Sequence, residues 1–154
     1  MVSAIIVTHL AVAMCAPMLS SRLGARGYLV MAAAPTVAFG WLLTLAPSMT
    51  AGGTYTESFT WIARLGVGID YRIGMLQWLL ALIVSGVGAL VLIYCRWYFA
   101  EAPNQRPMGL LTAFAAAMLG LVTVDNLVVL YLFWELTTVF SYLLIGYDPT
   151  RRAN

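Results

Sequence analysis

The stretch WELTTVFSYLLIGY, residues 134–147, carries one carboxylate, Glu135, in a run that is otherwise apolar or hydroxyl-bearing. On a helix, residues three and four apart share a face. Tyr131, Glu135, Thr138 and Tyr142 would then form a polar stripe, with Phe133, Phe140 and Leu144 projecting from the other side. A carboxyl so placed suits reversible proton uptake, because burial favours its neutral form while hydroxyl donors or a nearby cation favour the charged one. We therefore expect the carboxylate to face protein, with Glu135 as proton acceptor and donor and the hydroxyls of Tyr131, Thr138 and Tyr142 as its shell. The plainer role for the same residue is interhelical glue through Thr138 or Tyr131. A charge at mid-bilayer is disfavoured by roughly 2.5 kcal/mol or more, and intramembrane acids mostly line ion routes, so the proton-handling role is preferred.

Two further polar residues invite the same question. His9 lies in the first apolar stretch, and an imidazole can relay protons near neutrality, yet a lone histidine near a helix end is more often hydrogen-bonded or interfacial. Asp125 can cap the start of the following helix, or mark the mouth of an ion path, and capping is the better expectation. Cys15 and Cys95 have neither metal-ligand spacing nor a disulfide framework. No constellation points to a hydrolase, a metal centre, haem ligation or any other cofactor, and no basic stripe suggests nucleic acid.

The elements that would position these residues follow from composition. With 62% hydrophobic and 9% charged residues, the 154-residue chain cannot cover its apolar surface with a polar exterior, and it reads as an all-α integral membrane protein. Spans of about twenty residues are expected near 2–21, 27–46, 73–96, 107–124 and 126–147. The first lacks the charged start and cleavage site of a signal peptide and is kept as a mature helix. "SRLGARG" and "RWYFAEAPNQRP" divide the spans with glycine, proline and charge, and Asp125 with Asn126 makes the slightest division. The loop 47–72 differs in character: near alternation at Tyr55, Glu57, Phe59 and Trp61, with glycines at 66 and 68, predicts an external β-hairpin between the second and third spans. Small residues, Ser85, Gly86, Gly88 and Ala89 in the third span and Ala113, Ala117 and Gly120 in the fourth, predict helix contact faces. Pro35 should bend the second span, as a packing wedge.

The run LVTVDNLVVLYLFWELTTVFSYLLIGY, together with MLQWLLALIVSGVGALVLIYCRWYF upstream, resembles the N-terminal part of the large A-type subunits of Mrp-type multisubunit cation/proton antiporters. That family is related to the antiporter-like proton-pumping subunits of respiratory complex I, and "WELT" is closer to the Mrp A-type pattern. The resemblance covers most of residues 60–150. It implies an external hairpin between the second and third helices, partner membrane subunits, protons and a monovalent cation such as sodium as cargo, and a plasma-membrane location. It also implies that Glu135 belongs to the proton route and pairs with a lysine on a later helix. The sequence departs from the family in two ways. "RIGMLQ" has Gly74 and Met75 where an Asp-Gly pair is common, and the chain reaches Asn154 without a single lysine. Arginine cannot replace lysine as a proton carrier, since it holds its proton near neutrality. The expectation is a single membrane segment, the first part of a larger subunit. The alternatives are a member of a complex I-like or hydrogenase-like redox assembly and a truncated, non-conducting scaffold.

Arginine placement predicts orientation, because basic residues near short loops favour the cytoplasmic side. With the N-terminus outside, Arg22, Arg26, Arg96, Arg106, Arg151 and Arg152 lie inside and only Arg64 and Arg72 outside. In a background with Cys15 and Cys95 replaced, Thr56→Cys should react with an impermeant reagent from outside and Asn104→Cys should not. The reverse labelling pattern would overturn this orientation.

Overall fold

The computed structural model describes residues 1–62, 67–101 and 106–146. Arg64, Arg151, Arg152, Asp148 and the tip of the predicted hairpin at 63–66 lie outside the described residues. The chain begins with α1 (Val2–Met14) and α2 (Ala16–Leu23), followed by a 3-10 turn at Gly24–Arg26, then α3 (Gly27–Thr44) and α4 (Ala46–Thr50). Strands β1 (Tyr55–Ile62) and β2 (Val67–Ile73) come next, before α5 (Met75–Tyr98), α6 (Pro107–Thr123) and α7 (Leu127–Ile145). Among the described residues, helical stretches within Ala16–Thr44 and at Met75–Tyr98 and Leu127–Ile145 are long and apolar enough to cross a membrane, and Val2–Met14 and Pro107–Thr123 are shorter apolar helices.

Helices α1 with α2, α3, α5, α6 and α7 lie in the apolar stretches, and a further short helix, α4, falls at the start of the expected loop 47–72. The first span is broken at Cys15 rather than continuous, because Pro17 in the first turn of α2 has no N–H to offer the carbonyl of Ala13. Gly24 ends α2 at φ 52°, a left-handed backbone that a side chain would disfavour. By contrast α3 runs through Pro35 without interruption, and Pro35 is fully buried.

Small residues let the helices approach, as packing in lipid requires. A Cβ added at Gly88 would meet those of Ala115 and Pro35 at 3.7 and 3.8 Å, so α3, α5 and α6 converge there. Phe39 of α3 lies against Gly86, and Ser85, Ala89, Ala113 and Ala117 are all buried. The indole of Trp78 donates to the Leu42 carbonyl at 2.7 Å, tying α5 to α3 at a carbonyl that also accepts from the Leu45 N–H at 3.1 Å. The buried serine and threonine hydroxyls are satisfied within their own helices: Ser85 donates to Ala81, Thr112 to Met108 and Thr123 to Leu119.

The predicted hairpin is present, with β1 and β2 antiparallel in the register Tyr55 to Ile73, Glu57 to Tyr71 and Phe59 to Ile69. Alternation carries Tyr55, Glu57, Tyr71 and Ile73 towards the helices and leaves Thr56, Ser58 and Thr60 exposed. Farther out, Phe59 and Trp61 extend beyond the helices and are exposed. A bridge from Tyr71 to Val124 and a 2.7 Å bond from the Asp125 N–H to the Asp70 carbonyl fasten β2 to the α6–α7 turn.

At its other side the hairpin holds the start of α1. The Glu57 carboxylate accepts from the Met1 ammonium, from the Ser3 hydroxyl and, at 2.8 Å, from the Val2 N–H. It thereby satisfies amides that the first turn of a helix leaves without partners, and it sets a negative charge at the positive end of the helix dipole. Partial burial pushes this carboxyl upward, but those hydrogen bonds and the ammonium charge outweigh burial and hold it below its ordinary value of 4.5. A carboxyl with a depressed folded-state value stabilises above its ordinary value, and that stabilisation is lost as pH falls through the folded value. Amide exchange in β2 should therefore accelerate as pH drops below 4.5, after correction for the intrinsic pH dependence. Glu57→Gln should exchange faster at neutral pH and lose the acid-dependent step. An unchanged profile in the Gln variant would exclude Glu57 as the clasp.

Candidate functional site

The candidate site lies on α7, and the buried face of that helix, Val129 and Phe133, sets its direction. Phe133 is buried against α6, where a Cβ on Gly120 would come within 2.3 to 2.5 Å of three of its ring atoms. Only a residue without a side chain permits that seat. Residues two apart on an α-helix diverge by about 200°, so seating Phe133 inward turns Glu135 outward.

The structure accordingly brings the predicted stripe together but turns it away from this chain's own helices. Tyr131, Glu135, Thr138 and Tyr142 are all exposed, while Phe133 is buried and Phe140 and Leu144 are partly buried. This corrects the expectation that the carboxylate is buried: the 154 residues do not bury Glu135, because its opposite face is the one that meets α6. Tyr131 lies one turn before Glu135 on the same exposed face of α7. Thr138 instead donates to the Trp134 carbonyl at 3.3 Å, back-bonding within its own helix. Thr138 and Tyr142 also line an open groove of about 520 Å³ between α6 and α7, with Phe114, Met118 and Ser141.

The other two candidates sit elsewhere. His9 is hydrogen-bonded and buried: it is 1% exposed in the middle of α1, with Nδ1 2.8 Å from the Ile5 carbonyl. Asp125 is exposed and does not cap α7. Asn126 does, its side-chain oxygen accepting from the Val128 and Val129 amides at 2.9 and 3.4 Å. The cap falls to the residue immediately before the first helical position, and a choice between two adjacent capping types turns on that one-residue offset. Sequence reasoning also passed over Glu57 as a helix-terminal acceptor, although its inward phase in β1 was visible. What could not be seen was the chain's start arriving beside it. Among the described residues, no group of His, Cys, Asp and Glu is arranged to hold a metal ion.

No family model matches the chain. It is 39% identical over 104 residues to a probable K(+)/H(+) antiporter A/B subunit of Rhizobium meliloti (strain 1021), a match covering 67% of this chain and 10% of that protein. It is 36% identical over 121 residues to the Na(+)/H(+) antiporter A1 subunit of Staphylococcus aureus (strain JH9), covering 78% of this chain and 15% of that one. The Mrp complex from Dietzia sp. DQ12-45-1b contains a chain that superposes with a TM-score of 0.80 at 29% identity, over 99% of this chain and 16% of that one. The 154 residues thus span a small fraction of the length of the proteins they match.

The Phe133–Gly120 contact is open to a direct test. Gly120→Ala should cost about 1–3 kcal/mol by overpacking. Combining it with Phe133→Leu, which shortens the side chain that would clash, should cost less than the sum of the two single changes in denaturant unfolding in detergent micelles. Additive losses would show that the ring does not rest on Gly120.

Proposed function

We propose that this chain, whose homologues are A-type subunits of Mrp-type cation/proton antiporters, forms part of the membrane portion of such a protein, with Glu135 contributing to a proton route. The observation that carries this reading is the outward stripe on α7. A carboxylate that shares its face with Tyr131, Thr138 and Tyr142 sits mid-helix, and these residues leave that face uncovered. Lipid is a poor environment for that face. Further protein would both remove it from lipid and adjust its proton affinity, which burial raises and a neighbouring cation lowers.

In this reading Glu135 takes and releases a proton, and the Tyr131 hydroxyl belongs to its shell. Tyr142 and Thr138 line the adjoining groove, along which hydroxyls and water can extend the path. The lysine that the family resemblance implies as a partner is absent from these residues, so it would come from sequence or subunits beyond them. The orientation is N-terminus outside in the plasma membrane, which sets the hairpin outside and the α2–α3 turn, with Arg22 and Arg26, inside. The cargo is a proton exchanged against a monovalent cation. The two relatives are named for potassium and for sodium, so sodium is one of the cations the reading admits.

In the assembled antiporter, Glu135→Gln should lower cation-dependent proton flux in vesicles by roughly tenfold or more, normalised to assembled protein, while insertion is preserved. The amide keeps the shape and hydrogen bonding but cannot bind and release a proton. Glu135→Asp should keep part of the flux, since a shortened carboxylate still titrates. Wild-type flux from the Gln variant would defeat the assignment and leave Glu135 as interhelical glue.

A further inference from the structure

Beyond Phe133, α7 loses its cover. Its two buried residues, Val129 and Phe133, lie in its first half, and from Trp134 to Gly146 none is buried. Open grooves flank that second half, and their chemistries differ. The groove of about 520 Å³ carries the hydroxyls of Thr137, Thr138, Ser141 and Tyr142 and no charge. The other, of about 850 Å³, runs between α1 with α2 on one side and α7 on the other, with α6 as its floor.

This second groove is apolar along its length and basic at one end. Leu10 and Ala13 of α1, Leu110 and Ala113 of α6, and Phe140 and Leu143 of α7 form its walls. The floor is closed where α6 meets the α1–α2 break, since a Cβ on Gly109 would come within 2.9 Å of the Ala16 Cβ and 3.0 Å of the Ala13 carbonyl oxygen. The polar side chains that line the groove, Ser20 and Arg106, both lie at the end away from the hairpin. The Ser20 hydroxyl donates to the Pro17 carbonyl at 2.9 Å, so the charge at the mouth is that of Arg106, which is exposed.

Length and charge together define an occupant. From Leu10 to Ser20 the groove follows ten residues, about 15 Å of helix, and it stops midway along α1 and α6. The hydrocarbon of one bilayer leaflet has the same depth, half of about 30 Å. A second transmembrane helix would need a groove running the whole thickness. The mouth opens on the basic end of the bundle, where Arg22, Arg26 and Arg96 also lie and Glu101 is the one acid among the described residues. Basic pockets between membrane helices suit anionic headgroups, because a guanidinium pairs with phosphate oxygens through charge-assisted hydrogen bonds.

We propose that this groove holds one acyl chain of an anionic phospholipid, with the headgroup phosphate at Arg106. The lipid fills the space that α6 leaves beside the second half of α7, and so braces that half against α1 and α2. The site is separate from Glu135 and from the hydroxyl-lined groove on the other flank of α7, and it does not rest on the proton-route reading.

The test is photocrosslinking of the assembled antiporter in phosphatidylcholine vesicles holding a trace of phosphatidylglycerol with a diazirine in its acyl chain, followed by peptide mapping. The same diazirine on phosphatidylcholine is the comparison. At peptides containing Leu10, Ala113 and Leu143, the anionic probe should exceed the zwitterionic one by about fivefold, the factor that one arginine adds for an anionic lipid. At Ile83 and Leu90, on the exposed face of α5, the two probes should react equally. Arg106→Gln should remove the preference at the groove, Arg106→Lys should keep most of it, and Arg96→Gln, at the same end but outside the groove, should leave it unchanged. Equal reaction of both probes at the groove, or an equal loss in the Arg106→Gln and Arg96→Gln variants, would overturn the site in favour of unselective lipid contact. Absence of crosslinks at the groove with both probes would overturn it in favour of a covering protein segment.

Discussion

The rotation of α7 about its own axis rests on the ring of Phe133 lying over the bare backbone of Gly120, and the direction of every polar side chain on that helix follows from it. In lipid there is no hydrophobic force to hold two apolar helices together, so close packing at small residues must define their relative rotation. A side chain at position 120 would push the ring out and remove what fixes the rotation of the Tyr131–Glu135–Thr138–Tyr142 stripe. The acid is therefore aimed by a residue that carries no polar group and lies on another helix.

The same economy runs through α6, which touches α1, α3, α5, α7 and β2 and contains no titratable residue. Its alanines and glycines set the spacing of the bundle, and its threonine hydroxyls return to their own backbone. Charge is kept to the margins. Glu57 commits its carboxylate to the start of α1, and the arginines among the described residues lie at helix ends or on the hairpin. Two polar groups depart from this arrangement within the helices, Glu135 facing away from the bundle and His9 inside it. Their environments are opposite, the first awaiting cover from elsewhere and the second already enclosed, so one chemistry need not serve both.

The sequence showed the helices because their apolar runs are long and their dividers carry glycine, proline and charge. It showed the hairpin because period-two alternation from Tyr55 to Trp61 cannot be laid on a helix face. The membership of the polar stripe was also legible, being a matter of spacing alone. The direction of the stripe was not, since it depends on which α7 residue finds the gap at Gly120, a contact between two helices. The break at Cys15 was readable from Pro17 but was masked by the continuity of hydropathy. The capping of α7 by Asn126 rather than Asp125, and the clasp of Glu57 on Val2 and Ser3, both hinge on placements finer than pattern reading resolves. In the second case the partners are more than fifty positions apart.

A proton-handling role for Glu135 requires the uncovered face of α7 to be a protein interface and not a lipid-facing surface. The proteins this chain matches are several times longer than it is, which supplies ample material for such a cover. The direct measurement is the oxygen accessibility of a nitroxide at Thr138, introduced as Thr138→Cys with Cys15 and Cys95 replaced, in bilayers containing either the 154-residue chain alone or the assembled antiporter. Oxygen collides freely with a label exposed to lipid and poorly with one packed between helices. A covered face predicts high accessibility in the chain alone and a clear drop in the assembly. Equal, lipid-like accessibility in both would contradict it.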